Sequence, residues 1–124
     1  MNHKRLLSID DEEAIQTVIK FGISLAVEWE VLSASDGTTG IETAQRELPD
    51  AILLDMMMPG MDGIATFKLL QANPLTAGIP VIFLTAKAQA DDRRNFNNLG
   101  ISGTITKPFN ALDLPDQIAK ILNW

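Results

Sequence analysis

Residues 51–63 read AILLDMMMPGMDG, an apolar run that ends in the carboxylate of Asp55 and leads into a segment rich in turn-forming residues. An apolar run without alternation is typical of a strand that is buried on both faces of a sheet. Asp55 is therefore expected at the tip of a buried strand, where open α/β folds carry their chemistry. A second apolar run, residues 6–9, leads in the same way into Asp10 and Asp11.

Strand-like and helix-like segments alternate along the whole chain. Strands are predicted at residues 6–9, 30–34, 51–54, 81–84 and 103–106. Apolar residues at intervals of three and four predict helices over residues 14–25, 37–48, 63–71 and 114–122, and a polar helix over 90–98. Asp36 (or Ser35) and Asp62 are expected to cap the second and third of these helices. Such alternation predicts an α/β fold, a flavodoxin-like doubly wound sheet of five parallel strands in the order 2-1-3-4-5 with five helices.

This strand order brings five side chains to one edge of the sheet: Asp10, Asp11, Asp55, Thr85 and Lys107. Three carboxylates can hold a hard divalent cation such as Mg²⁺, which prefers oxygen ligands. The lysine and the threonine add a positive charge and a hydroxyl that can contact phosphoryl oxygens. The edge is therefore a candidate phosphoryl site, and Asp55 is the best nucleophile because it stands alone at the tip of the central strand.

Composition narrows the classes of function. The chain has 124 residues, a net charge of −6, no cysteine and a single histidine, His3, near the start. Disulfides, thiol chemistry and histidine-based acid–base or metal sites are thereby excluded. The negative charge argues against direct binding to nucleic acid or an anionic membrane. No apolar stretch is long enough to span a membrane, and the basic start is too short for a signal peptide, so a cytoplasmic location is expected.

The sequence resembles the receiver domain of bacterial two-component response regulators and is similar to the single-domain chemotaxis regulators. Three of the matching motifs are the acidic stretch at residues 8–12, the segment 55–63 and the Leu84-Thr85-Ala86 tripeptide. The fourth is Lys107-Pro108-Phe109, and the resemblance covers essentially the whole chain. It implies a single receiver domain over residues 1–124, with no output domain in the chain.

The resemblance also implies a role for each matched residue. Asp55 would accept a phosphoryl group from the phosphohistidine of a histidine kinase or phosphotransfer protein. Mg²⁺ would be bound by Asp11 directly, by Asp10 through water, by Asp55 and by the backbone carbonyl of Met57. Lys107 would pair with the phosphoryl group or with Asp55, and Thr85 would move inward after phosphorylation. The Lys107–Pro108 peptide would be cis. The output would be a change in the face formed by the fourth helix, the fifth strand and the last helix.

Two positions depart from the pattern or modify its consequences. The family usually has an aromatic residue three positions before the lysine, and Thr104 stands there instead. The effect of phosphorylation would then pass from Thr85 through the loop 87–90, without the rotamer change of an aromatic side chain. Met57, two places after the acceptor, cannot orient water by hydrogen bonding, so we expect a slowly hydrolysed phosphoryl group.

Two other functions remain open. An Mg²⁺-dependent phosphohydrolase with an aspartate nucleophile would need a second carboxylate, commonly two residues later, where this chain has Met57. A binding module that works without phosphorylation would not need the full set of rim residues. We therefore expect no enzymatic activity beyond self-catalysed phosphoryl acceptance and slow autodephosphorylation. The partners implied by the resemblance are a histidine kinase or phosphotransfer protein and a downstream protein target or fused output domain.

Overall fold

The computed structural model describes residues 3–58, 60–86 and 100–124. Strands and helices alternate in it as the sequence predicts. The strands are β1 (Arg5–Ile9), β2 (Glu30–Ala34), β3 (Ala51–Asp55), β4 (Val81–Thr85) and β5 (Gly103–Thr106). The helices in the described ranges are α1 (Glu13–Ala26), α2 (Gly37–Glu47), α3 (Gly63–Ala72) and α4 (Leu114–Leu122), with a 3₁₀ turn (Ala111–Asp113) before α4. The predicted helix over residues 90–98 lies outside the described residues.

The five strands form one parallel sheet in the order β2-β1-β3-β4-β5, which confirms the predicted topology. β1 and β3 lie side by side in the middle, with Ile9 opposite Leu54. β2 and β5 are the two edge strands. Since all strands run the same way, their carboxyl ends meet at a single edge of the sheet.

Each strand sends alternate side chains to opposite sides of the sheet. Helices pack against both sides, so the sheet is buried on both faces. One core packs α2 and α3 against the sheet and is built around Leu7, Ile9, Ile52, Leu54, Phe67, Leu70 and Phe83. The other packs α1 and α4 against the opposite face and is built around Leu6, Ile19, Ile23, Leu53, Ile82, Leu84, Leu114 and Ile118. All five residues of β3 and of β4 are buried, so the tips of these two strands are held firmly.

Two aspartates cap the N-termini of helices, as predicted. The Asp36 carboxylate accepts a hydrogen bond from the backbone N–H of Thr39 at 2.7 Å, and the Asp62 carboxylate accepts one from Ala65 at 2.8 Å. Both bonds satisfy donors that the first turn of a helix leaves free. Asp62 is therefore a capping residue and is not part of the acidic cluster at the strand ends.

The apolar stripe expected on α1 splits into two faces. Ile19, Gly22 and Ile23 are buried against the sheet and the 3₁₀ turn. Val18, Phe21 and Leu25 point outward, and Phe21 and Leu25 are 64% and 75% exposed. The helix is apolar around more than half of its circumference, so periodicity alone did not reveal which stripe faces the core. In the described residues, no helix combines the length and apolar character that a membrane span requires.

Candidate functional site

Polar side chains lie at the carboxyl ends of four neighbouring strands, on the same edge of the sheet. Asp10 follows β1, Asp55 ends β3, Thr85 ends β4 and Lys107 follows β5. The strand register aligns these ends, with Asp55 opposite Leu84 and Thr85 opposite Thr106. Residues far apart in the chain thus meet at one place, as predicted.

Three carboxylates form a cluster at this edge. Asp10, Asp11 and Asp55 each offer an oxygen, and the three oxygens lie within 4.8 Å of one another. Asp10 and Asp55 are buried and Asp11 is exposed. Charges this close in a partly dry setting repel each other strongly, so the cluster needs a cation or bound protons.

Lys107 supplies a positive charge between the two buried acids. Its Nζ donates hydrogen bonds to Asp10 Oδ2 and to Asp55 Oδ1, each at 3.2 Å. Burial lowers the pKa of Lys107, but the charges and hydrogen bonds of Asp10 and Asp55 outweigh burial and raise the pKa overall. Lys107 therefore remains an ammonium that bridges the acids.

The two oxygens of Asp55 have different surroundings. Oδ1 accepts from Lys107 and from the backbone N–H of Met57 at 3.1 Å, whereas Oδ2 is buried without a hydrogen-bond partner among the described residues. Burial raises the pKa of Asp55, and the nearby charge of Asp10 raises it further, against the opposing effects of the Met57 N–H and Lys107. An unpartnered buried oxygen is costly, which marks Oδ2 as the atom that a ligand would contact.

The start of α3 packs closely against the end of β3. The Gly63 N–H donates to Met56 O at 3.2 Å, and a Cβ added at Gly63 would lie 2.6 Å from Asp55 O. Such a contact is too close for any side chain, so glycine is required where α3 begins. This close packing fixes the backbone that carries the Asp55 carboxylate.

A glutamine that sequence reasoning missed organises the first strand end. Gln16 Nε2 donates to the backbone carbonyls of Ser8 at 3.1 Å, Asp10 at 3.0 Å and Ala34 at 3.0 Å. Asp10 itself is oriented by the Glu12 N–H, which donates to Oδ1 at 2.9 Å. The sequence feature that could have identified Gln16 is its position as a polar side chain between Ile15 and Ile19, on the half of α1 that faces the sheet.

Thr85 is buried at the tip of β4, and the Lys107–Pro108 peptide is cis, as expected. Met57 has its side chain 77% exposed beside the cluster, and the slow hydrolysis expected from it stays a prediction. Thr104 pairs with Phe83 in the sheet and is partly buried. The loop 87–90 that was expected to carry the output lies outside the described residues.

A family model for the response regulator receiver domain matches residues 6–119. The chain belongs to this family. Among curated relatives, the PhoP alkaline phosphatase synthesis transcriptional regulatory protein of Bacillus subtilis is 35% identical over 97% of this chain and 49% of that protein. The response regulator PleD of Caulobacter vibrioides is 42% identical over 89% of this chain and 24% of that protein. The chain thus spans about half, or less, of the length of these relatives.

Solved structures agree with the family assignment. Chemotaxis response regulator CheY4 of Vibrio cholerae aligns with a TM-score of 0.88 and 25% identity, covering 97% of this chain and 99% of that one. A putative response regulator from Chloroflexus aurantiacus aligns with a TM-score of 0.87 and 27% identity, covering 99% and 100%. The receiver-domain fold therefore extends over nearly the whole chain.

The acidic cluster of this receiver domain could bind a metal ion. Carboxylate oxygens are hard ligands of the kind that Mg²⁺ prefers, and Mg²⁺ retains several waters, so a few protein oxygens suffice. Oδ2 of Asp55, buried and without a partner in the described ranges, lies in a cluster where an ion would relieve the repulsion between the acids. The residues present therefore fit such an ion.

Proposed function

We propose that this receiver domain is a phosphorylation-controlled signalling switch in which Asp55 accepts a phosphoryl group from a protein phosphohistidine. The observation that carries the proposal is the asymmetry of Asp55: Oδ1 is held by Lys107 and Met57, whereas Oδ2 is buried and has no hydrogen-bond partner in the part of the chain that the structure describes. A carboxylate held by one oxygen presents the other in a fixed direction, which is the arrangement that a nucleophile needs.

The proposed step exchanges one bond to phosphorus for another. Asp55 Oδ2 bonds to phosphorus while the phosphorus–nitrogen bond of the donor breaks. The imidazole leaves with that electron pair, and it leaves neutral when its other nitrogen already carries a proton. When bound by Asp10, Asp11, Asp55 and the Met57 carbonyl, Mg²⁺ supplies positive charge for the phosphoryl oxygens.

Lys107 and Thr85 complete the site in this proposal. Lys107 already lies 3.2 Å from Asp55 Oδ1, so a short movement brings its ammonium to a phosphoryl oxygen. Thr85 stands at the neighbouring strand tip, where its hydroxyl can donate to another phosphoryl oxygen. The phosphorylated carboxyl of Asp55 and the two groups that would hold it thus come from three different strand ends, so phosphorylation is coupled to the sheet.

An exposed apolar surface suits the docking of a protein donor. α1 begins just after Asp11 and exposes Val18, Phe21 and Leu25, and the 3₁₀ turn that packs against α1 at Gly22 adds exposed Leu112. Clustered apolar side chains at a surface indicate a protein contact. We propose that a histidine kinase or phosphotransfer protein binds here through an apolar helical surface.

Output and location complete the proposal. The relatives PhoP and PleD are longer than this chain, which supports a fused output domain or a separate downstream protein target. The signal would pass through the face that includes β5 and α4, in the cytoplasm. Catalysis beyond phosphoryl acceptance and slow autodephosphorylation is not expected, because the exposed neighbour Met57 offers no acid or base.

The decisive test is phosphorylation by a small-molecule acyl phosphate with Mg²⁺, followed by intact-protein mass spectrometry. Wild type should gain one phosphoryl group, and Asp55→Asn should gain none. Asp62→Asn is the matched control, since asparagine caps a helix as well as aspartate does and the residue lies in the same loop. Modification of Asp55→Asn to the wild-type extent would overturn the assignment, and sustained turnover of phosphate esters would favour a phosphohydrolase.

A further inference from the structure

Gln16 makes an unusual set of hydrogen bonds within the first turns of α1. Its side-chain nitrogen lies 3.0–3.1 Å from three backbone carbonyl oxygens, those of Ser8, Asp10 and Ala34. A primary amide has two N–H donors, so three acceptors share two protons. Since all three neighbours are acceptors, the nitrogen must face them and the assignment of the amide is unambiguous.

Two of the three carbonyls belong to the end of β1, which leads into Asp10 and Asp11, and the third belongs to the end of the neighbouring strand β2. Ser8 lies in β1, Ala34 ends β2, and the Asp10 carbonyl is part of the peptide that joins Asp10 to Asp11. The Asp10 N–H also donates to Ala34 O, at 3.1 Å. The Gln16 amide therefore ties together the ends of β1 and β2 and holds the peptide plane from which the two carboxylates project.

The oxygen of the same amide has different surroundings. Gln16 Oε1 is buried and has no hydrogen-bond partner among the described residues. Burying an amide oxygen in this way is unfavourable for folding. An apolar side chain would avoid that loss, so the placement of Gln16 is explained better by what its donors hold than by stability alone.

We propose that Gln16 is a positioning residue that sets the affinity of the receiver domain for Mg²⁺ by holding the Asp10–Asp11 peptide. This inference rests on the proposed function, since it concerns the same site. Asp10 has further restraints from Glu12 and Lys107, whereas exposed Asp11 depends on the backbone for its direction. Loss of the donors frees that peptide, and groups that orient ligands typically change metal affinity by about 10–100-fold.

The test replaces the donors without changing charge. Gln16→Met keeps the length of the side chain but has no N–H, and Gln16→Asn keeps the amide but is one methylene too short to reach the carbonyls. Gln71→Met is the matched control, because Gln71 is an exposed glutamine on α3, away from the cluster. Two quantities are measured for each variant: the Mg²⁺ dissociation constant by titration calorimetry, and the Mg²⁺ concentration that half-saturates phosphorylation by an acyl phosphate.

The two Gln16 variants should bind Mg²⁺ about 10-fold more weakly, the lower end of the range for such groups. Half-saturation should shift by the same factor, while the rate at saturating Mg²⁺ stays near that of wild type. Gln71→Met should match wild type in both. Unchanged Mg²⁺ affinity in either folded Gln16 variant would overturn the inference, as would an equal loss of rate at every Mg²⁺ concentration. If wild type itself is not phosphorylated, the proposed function fails, but calorimetry still decides the role of Gln16.

Discussion

In the metal-free protein, the charged form of the Asp55 carboxyl is disfavoured. Burial raises the pKa of this carboxyl and the charge of Asp10 adds to the effect, while the Met57 N–H and Lys107 only partly compensate. The folded state therefore holds the Asp55 proton more tightly than the unfolded chain does. Because the unfolded chain loses its proton first as the pH rises, stability falls through the range above the ordinary value of 3.8.

We expect Asp55→Asn to stabilise the metal-free protein at neutral pH, where the penalty is fully present. A gain of about 1 kcal/mol would raise the Tm by roughly 3–5 °C in a domain of this size. The gain should vanish below the ordinary aspartate pKa, where both states of the wild type are protonated. Thermal unfolding in a chelator at several pH values measures this. Glu42→Gln removes one charge from an exposed helix position and is the control. A gain that is constant with pH, or equal in the control, contradicts the explanation.

The sequence predicted the acids and the lysine of the site but not the glutamine. Asp10, Asp55 and Lys107 could be placed because each ends or follows a strand, and the carboxyl ends of parallel strands must share an edge. Gln16 lies within a helix and acts on backbone carbonyls, which have no signature in the sequence. Its role depends on the separation of α1 from β1 and β2, and that separation is a result of packing.

Strands were easier to predict than the buried faces of helices. The predicted strands agree with β1 to β5 within one residue at each end, because a strand buried on both faces is a short apolar run with polar ends. The helix α1 carries apolar residues on two faces, and only the contact with the sheet and the 3₁₀ turn selects Ile19 and Ile23 for the core. A docking surface and a core stripe have the same periodicity.

The end of α2 contains a residue in an unfavourable conformation. Leu48 follows the helix with φ 47° and ψ 62°, in the left-handed region, and is 54% exposed. A Cβ in this region costs roughly 1–2 kcal/mol, and glycine avoids the cost. We expect Leu48→Gly to raise the free energy of unfolding by about 1 kcal/mol, measured by urea denaturation.

Leu48→Ala separates the backbone effect from loss of the side chain. Alanine keeps the Cβ, so it keeps the left-handed penalty while removing the exposed leucine atoms. The glycine variant should therefore be more stable than the alanine variant by about 1 kcal/mol. Equal stability of the two variants would show that the turn after α2 relaxes to accept a side chain.

The topology of the sheet concentrates negative charge at one edge. The chain has a net charge of −6, and the strand order gathers three of its acids within 4.8 Å at one edge of the sheet. Lys107 offsets part of this repulsion and leaves the cluster with excess negative charge. The same clustered charges thus lower the stability of the metal-free fold and raise the affinity of the site for a cation.

Mg²⁺ should therefore stabilise the folded protein by mass action, since the unfolded chain does not assemble the cluster. At about 100 times the dissociation constant, the gain is about 2.7 kcal/mol, and thermal unfolding against Mg²⁺ concentration measures it. Asp55→Asn should gain less, so its advantage in chelator should shrink or reverse as Mg²⁺ is added. Sodium chloride at matched ionic strength tests whether the effect is only screening of distant charges. If the salt gives the same shift, or if Asp55→Asn keeps its full lead at saturating Mg²⁺, the cluster does not bind the ion.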